Sequence, residues 1–179
     1  METAMYADHG DKRTYGYVRF VRFIPRLLMA PGDFFESPDS TGGYGSSLVF
    51  LFSMSLVYAM AASLFVAESR LIFGLVFFLN AFVTPFILAS ILYLLSLLSH
   101  RGVYTFSGIF SITAYASVTL LFSWIPGIAM ITGVWKFCLV GVGMARQGGI
   151  GGLKAALHVF AAATIMLLFI QLFKPLMIQ

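Results

Sequence analysis

After Glu68 the chain contains no aspartate or glutamate. Charged residues of either sign make up only 10% of the 179 residues, against roughly a quarter in an ordinary soluble domain. A water-facing surface cannot be assembled from so few charges, and a site built on paired carboxylates is excluded from everything downstream of residue 68. There is one cysteine, Cys138, set inside an apolar stretch. An internal disulfide is therefore impossible and no thiolate cluster can hold zinc. The three histidines, His9, His100 and His158, are far apart in sequence. No HExxH or GxSxG string occurs, and GGIGGLK at 148–154 lacks the Gly-Lys-Ser/Thr ending of a phosphate loop. The sequence thus offers no catalytic constellation, no metal site and no cofactor, and the expectation is a non-enzymatic protein.

What is present is hydrocarbon: 60% of the residues are hydrophobic and long runs carry no charge at all. Such runs mark membrane-spanning helices. The expected fold is an all-α polytopic integral membrane protein, a five-transmembrane-helix bundle with an N-terminal amphipathic interfacial helix. Residues 1–14 are polar and aperiodic, which predicts a disordered cytoplasmic tail. In residues 15–30, Arg19, Arg22 and Arg26 fall three and four apart with Phe20, Phe23, Ile24, Leu27 and Leu28 around them, the pattern of a helix lying in the headgroup region. Pro25 predicts a bend within it. Residues 31–47 are rich in Pro, Gly, Ser and Asp and read as a loop in which Phe34 and Phe35 dip into the membrane surface.

The spans are then expected at about 48–67, 71–99, 105–122, 127–145 and 155–173. In the first, Ser55, Ala59, Ser63 and Ala67 recur every four residues, a stripe of small side chains suited to close helix packing. The second contains Pro85, which predicts a kink. The third and fourth are divided at Trp124-Ile125-Pro126-Gly127, an interfacial tryptophan followed by a turn signal. A glycine cluster at Gly148, Gly149, Gly151 and Gly152 separates the fourth from the fifth.

Five spans with a cytoplasmic N-terminus leave eight basic residues inside (Lys12, Arg13, Arg19, Arg22, Arg26, Arg101, Arg146, Lys154) and two outside (Arg70, Lys174). That bias obeys the positive-inside rule and predicts a C-terminus on the outside, in a cytoplasmic (inner) membrane of bacterial type. The net charge of +4 is spread between apolar runs and not gathered into a patch with interleaved aromatics, so the expected partners are lipids with anionic headgroups and other membrane subunits or a second copy, not nucleic acid. Arg19, Arg22, Arg26, Arg146 and Lys154 are the candidate headgroup ligands, the last two flanking the glycine cluster. Lys136 stands within the fourth span, where an ionisable group is expensive and needs accommodation. Counted from the helix ends, it falls near the depth of Asn80, Tyr58, Thr113, Tyr115 and Thr164, an expected intramembrane polar cluster. His158, four residues after Lys154, is expected to serve as a hydrogen bonder in helix packing.

The order of short motifs from His100 onward adds a resemblance: HRGVYTF at 100–106, AYAS at 114–117, WIPG at 124–127, Trp135, and GGIGGLKAA at 148–156, with APGDFF at 30–35 before the first span. In this order, over most of residues 27–173, the chain resembles the Yip family, the Ypt/Rab-interacting membrane proteins, in its bacterial form. The resemblance implies five membrane helices and a cytoplasmic N-terminus. Eukaryotic relatives are associated with Rab-type GTPases and vesicle trafficking, and they usually have a longer cytoplasmic N-terminal region than the 45 or so residues here. Val118 stands where many relatives carry proline, which implies a straighter third span. Two functions follow as expectations: a membrane adaptor, scaffold or accessory subunit, or else a lipid or small-solute transporter using the polar layer around Lys136.

Overall fold

Inside hydrocarbon every backbone amide and carbonyl must find its partner within the protein, which restricts open chains to helices. The apolar runs comply. The computed structural model describes residues 24–37, 43–66, 69–99, 103–125 and 127–177. After a helical stretch over residues 24–29 come α1 (Pro31–Glu36), α2 (Gly43–Ser63), α3 (Arg70–Ser99), α4 (Phe106–Ala116), a 3-10 turn (Ser117–Thr119), α5 (Leu120–Ser123), α6 (Ala129–Gly148) and α7 (Gly152–Met177). There is no strand among the described residues. Five helices are long and apolar enough to cross a membrane: α2, α3, the continuous rod Phe106–Ser123, α6 and α7. The chain is an all-α polytopic membrane protein.

The rod formed by α4 and α5 is the axis of the bundle. Within it 61% of the span is buried in protein, against 17 to 33% for the other four, and every residue from Ile109 to Thr119 is buried. α2, α3 and α6 pack around α4, while α7 lies outside against α3 and α6. A central helix of this kind can carry hydroxyls that an outer helix would expose to lipid. Thr113 Oγ1 donates to the carbonyls of Phe110 (2.9 Å) and Pro85 (3.3 Å), Ser117 Oγ to that of Thr113 (3.1 Å) and Thr119 Oγ1 to that of Ala116 (3.1 Å). Side chains that bond back to the preceding turn bend or retighten helices, and the 3-10 turn falls within this run. The straighter span implied by Val118 is therefore interrupted by tightening just where the proline is missing.

The first span begins at Gly43 and not at residue 48. The Gly-Tyr-Gly-Ser-Ser segment reads as a loop by composition, yet Ser46 and Ser47 hydroxyls donate to the Gly43 carbonyl (2.9 and 3.3 Å), Ser47 Oγ also donates to Ser111 Oγ (2.8 Å), and Tyr44 packs on Phe110 (ring centroids 4.7 Å). Tertiary contacts with α4 override the weak local helix propensity. α3 runs unbroken through Pro85. Gly127 (φ +88°) makes the turn before α6, and Gly149 (φ +61°) ends α6 in the left-handed conformation that glycine adopts without strain. Tight connections place α1, the 103–105 stretch and the α6–α7 turn at one end of the bundle, here the near end. The α2–α3 and α5–α6 turns lie at the far end, where Phe65 stacks on Trp124 (5.8 Å).

Two expectations for the N-terminal region are corrected. Residues 31–36 form a helix, not a loop, and Phe34 and Phe35 do not dip into the membrane surface: they are 0% and 2% exposed inside the protein. Pro31 sits in the first turn of α1, and Ser37 closes it by donating through Oγ and its amide to the Phe34 carbonyl (2.6 and 3.1 Å). The residue before a proline is driven out of the helical region, so the chain bends at Ala30 (φ −136°); the residues preceding Pro25, which the expected bend there involves, lie outside the described ones. Phe34 meets Phe35 and Tyr115 edge to face (5.4 and 5.3 Å), and Leu27 joins the same core. Arg26 remains exposed. The expected tail at 1–14, with Arg19 and Arg22, lies outside the described residues, as does Ala67.

Gly143 makes this docking possible. A Cβ built there would stand 2.6 Å from Ile112 Cγ2 and 3.2 Å from the Phe35 ring, whereas at Gly141 the nearest neighbour is Val159 Cγ2 at 4.0 Å. Gly143→Ala should lower stability by about 1–3 kcal/mol through overpacking, while Gly141→Ala, two residues away, should be neutral or slightly stabilising through helix propensity. Thermal unfolding of the two variants in one detergent checks the contrast; equal behaviour would show that α6 is not packed closely on Ile112 of α4 and Phe35 of α1 at this position.

Candidate functional site

Polar groups concentrate where α1, the 103–105 stretch and the last turn of α6 meet. Arg146 Nη1 donates to Glu36 Oε1 across the junction, both side chains about half exposed. An exposed pair of this kind contributes at most about 1 kcal/mol, so its role is to set where α1 lies along α6. Tyr104 Oη donates to the Met144 carbonyl (2.6 Å). A Cβ at Gly148 would lie 2.0 Å from that Oη, so only glycine admits the tyrosine here. Thr105 caps α4 by accepting from the Gly108 amide (3.1 Å). Between these groups opens a cleft of about 620 Å³, lined by Phe35, Glu36, Tyr104, Thr105, Arg146 and Gln147 among others. Burial pushes the Tyr104 phenol up to about 12, so at neutral pH it is a hydrogen-bond donor and not a base or nucleophile. The two charges that line the cleft are paired to each other.

The expected headgroup ligands do not form one site. Arg146 lines this cleft and is engaged by Glu36, whereas Lys154 lines a separate groove between α3 and α7. Arg26 is exposed on the helical stretch over residues 24–29.

The expected intramembrane polar cluster is not assembled. At about 1.5 Å per residue from the far helix ends, Tyr58 lies about 8 Å deep, Lys136 about 10 Å, Tyr115 about 12 Å, Asn80 and Thr113 about 15 Å and Thr164 about 20 Å. Asn80 and Thr164 are exposed on the bundle surface. Thr164 Oγ1 bonds back to the Phe160 carbonyl (2.9 Å), and Thr84 donates to both Asn80 oxygens (2.6 and 3.4 Å). Tyr58 packs on Phe77, and Tyr115 is an aromatic anchor between Phe34 and Phe50. Lys136 is half-buried and shares its helix face with Thr132, Leu139 and Val140. Depths counted from estimated helix ends concealed this spread, because side-chain direction is not legible in residue counting.

Of the small-residue stripe, two members face the interior of the bundle. Ser55 and Ala59 are buried at 0% and 4% exposure, continuing a buried line from Ser47 and Leu51, and Ser63 is half-buried. Ser55 Oγ has no partner among the described residues. Tyr104 escaped the sequence reading, and its signal was the pairing of a near-membrane tyrosine with a glycine-rich helix end. His158 Nδ1 lies 2.7 Å from the Lys154 carbonyl. Among the described residues no three His, Cys, Asp or Glu side chains could share a metal ion.

The raised value at Tyr104 implies a pH signature. Its folded-state pKa of about 12 lies above the ordinary 10.0, so the hydrogen bond to Met144 contributes fully below about pH 10 and is lost as pH rises toward 12. The difference in unfolding temperature between the wild type and Tyr104→Phe should be constant below that window and shrink within it. A difference unchanged across the window would place the phenol outside the protein.

No protein-family model matches the sequence, and no curated protein and no solved structure matches it.

Proposed function

We propose that the chain is a Yip-family-like membrane protein that acts as a non-enzymatic adaptor, scaffold or accessory subunit of a larger membrane assembly. One observation carries this reading. Along the outer side of the bundle α6 and α7 leave an apolar groove of about 530 Å³ whose walls include the small residues Gly141, Ala145, Gly152, Ala156 and Ala163. Small residues on two adjacent helices let a third backbone approach closely, the geometry by which helices associate in membranes where no hydrophobic gain is available. The occupant we assign to it is a membrane-spanning helix of another subunit. The motif order shared with the Yip family supports the same reading, and the basic-residue bias supports an N-terminus on the cytoplasmic side of a bacterial inner membrane. The scattered depths of these polar residues and the exposed positions of Asn80 and Thr164 lend no support to a transport path.

Cys138, exposed on the groove wall, is the natural probe. A photoactivatable cross-linker on Cys138 in native membranes should join the chain to one membrane protein, or a second copy, in fixed stoichiometry. Ala156→Phe, which fills the groove, should reduce that product severalfold. Adducts to lipid alone, or a yield indifferent to Ala156→Phe, would refute the proposal.

A further inference from the structure

A second groove opens at the near end, between the last turns of α3 and the first turns of α7, and differs from the first in charge. It holds about 350 Å³, with Ser99, Lys154 and His158 toward its polar end and Leu95, Leu98 and Leu157 along its apolar part. Lys154 is exposed on the first turn of α7. His158 follows one helical turn later on the same face, its ring anchored at Nδ1 by the Lys154 carbonyl (2.7 Å). Leu98 and Leu157 are 85% and 60% exposed, so no described residue covers them.

Among the described residues no acidic side chain pairs with Lys154. All acidic residues precede residue 69. Of those described near this end, Glu36 is engaged by Arg146 and Asp33 belongs to α1, which packs on α6 and away from this groove. The start of α7 adds to the positive potential: the amides of Lys154 and Ala155 both turn back to the Gly151 carbonyl, while those of Gly152 and Leu153 precede any intrahelical acceptor. A cationic rim above an uncovered leucine slot, at a helix end where headgroups lie, is complementary to one amphiphile class.

We infer that this groove binds an anionic phospholipid, with the phosphate against Lys154, His158 and Ser99 and an acyl chain along Leu95, Leu98 and Leu157. Arg146, the partner expected for Lys154 from sequence, plays no part in this site, and His158 takes its place. The lipid sits on the α3–α7 side, so its binding is independent of a subunit helix in the α6–α7 groove.

The test uses the full chain in detergent, exchanged with phosphatidylglycerol or phosphatidylcholine and read by native mass spectrometry. The wild type should retain phosphatidylglycerol about tenfold more than phosphatidylcholine. Lys154→Met, a change at an exposed side chain, should remove most of that preference, and Lys154→Met with His158→Leu should abolish it. Ala161→Phe, which narrows the apolar part without changing charge, should lower retention of both lipids, and Arg70→Met at the far end should change nothing. Equal retention of the two lipids by the wild type, an undiminished preference in Lys154→Met, or displacement of the lipid by inorganic phosphate would overturn the assignment.

Discussion

Two buried phenylalanines of α1, one of them beside a glycine of α6, hold the near end of the bundle together. Phe35 reaches the α6 backbone at Gly143, and Phe34 turns its ring onto Tyr115 of α4. Burying two such side chains is worth several kcal/mol relative to leaving them exposed. With α1 in place, the core extends from Leu27 through Phe34, Phe35, Phe50 and Tyr115 to Met144. The Glu36–Arg146 pair and the Tyr104–Met144 hydrogen bond sit on the rim of that contact. They add little energy of their own and fix its register.

The same closure explains where polarity is tolerated. α4 and α5 form the axis, so Ser111, Thr113, Ser117 and Thr119 are enclosed and bonded to carbonyls or to Ser47. On the outer helices the hydroxyls of Ser90 and Thr164 bond back to their own helix and need no partner from a neighbour. The functional surfaces are consequently at the outside: a groove of small residues between α6 and α7, and a basic-rimmed groove between α3 and α7.

Spans were legible because water cannot solvate uncharged runs of that length, and the Trp124–Gly127 turn and Gly149 mark boundaries with turn chemistry that sequence records directly. The start of α2 was not legible, because Tyr44 and Ser47 become helical through partners more than sixty residues away. Phe34 and Phe35 were misread as surface residues for the same reason: Phe34 packs on Tyr115 and Phe35 beside Gly143, partners far away in sequence. Of the candidate sites, the stripe through Ser55 and Ala59 follows from helical periodicity and is buried as expected. The polar layer depended on side-chain direction as well as depth, and it dissolved once Lys136, Asn80 and Thr164 were placed on their faces.

Hydrogen–deuterium exchange over residues 31–37 in lipid nanodiscs tests the central claim, that α1 is a built-in part of the bundle. The amides of Phe34 and Ser37, bonded to the Ala30 and Phe34 carbonyls, should exchange on the slow timescale of the buried α4 rod. Complete exchange at the first time point, with the α4 amides still protected, would contradict the account and return the segment to the membrane surface.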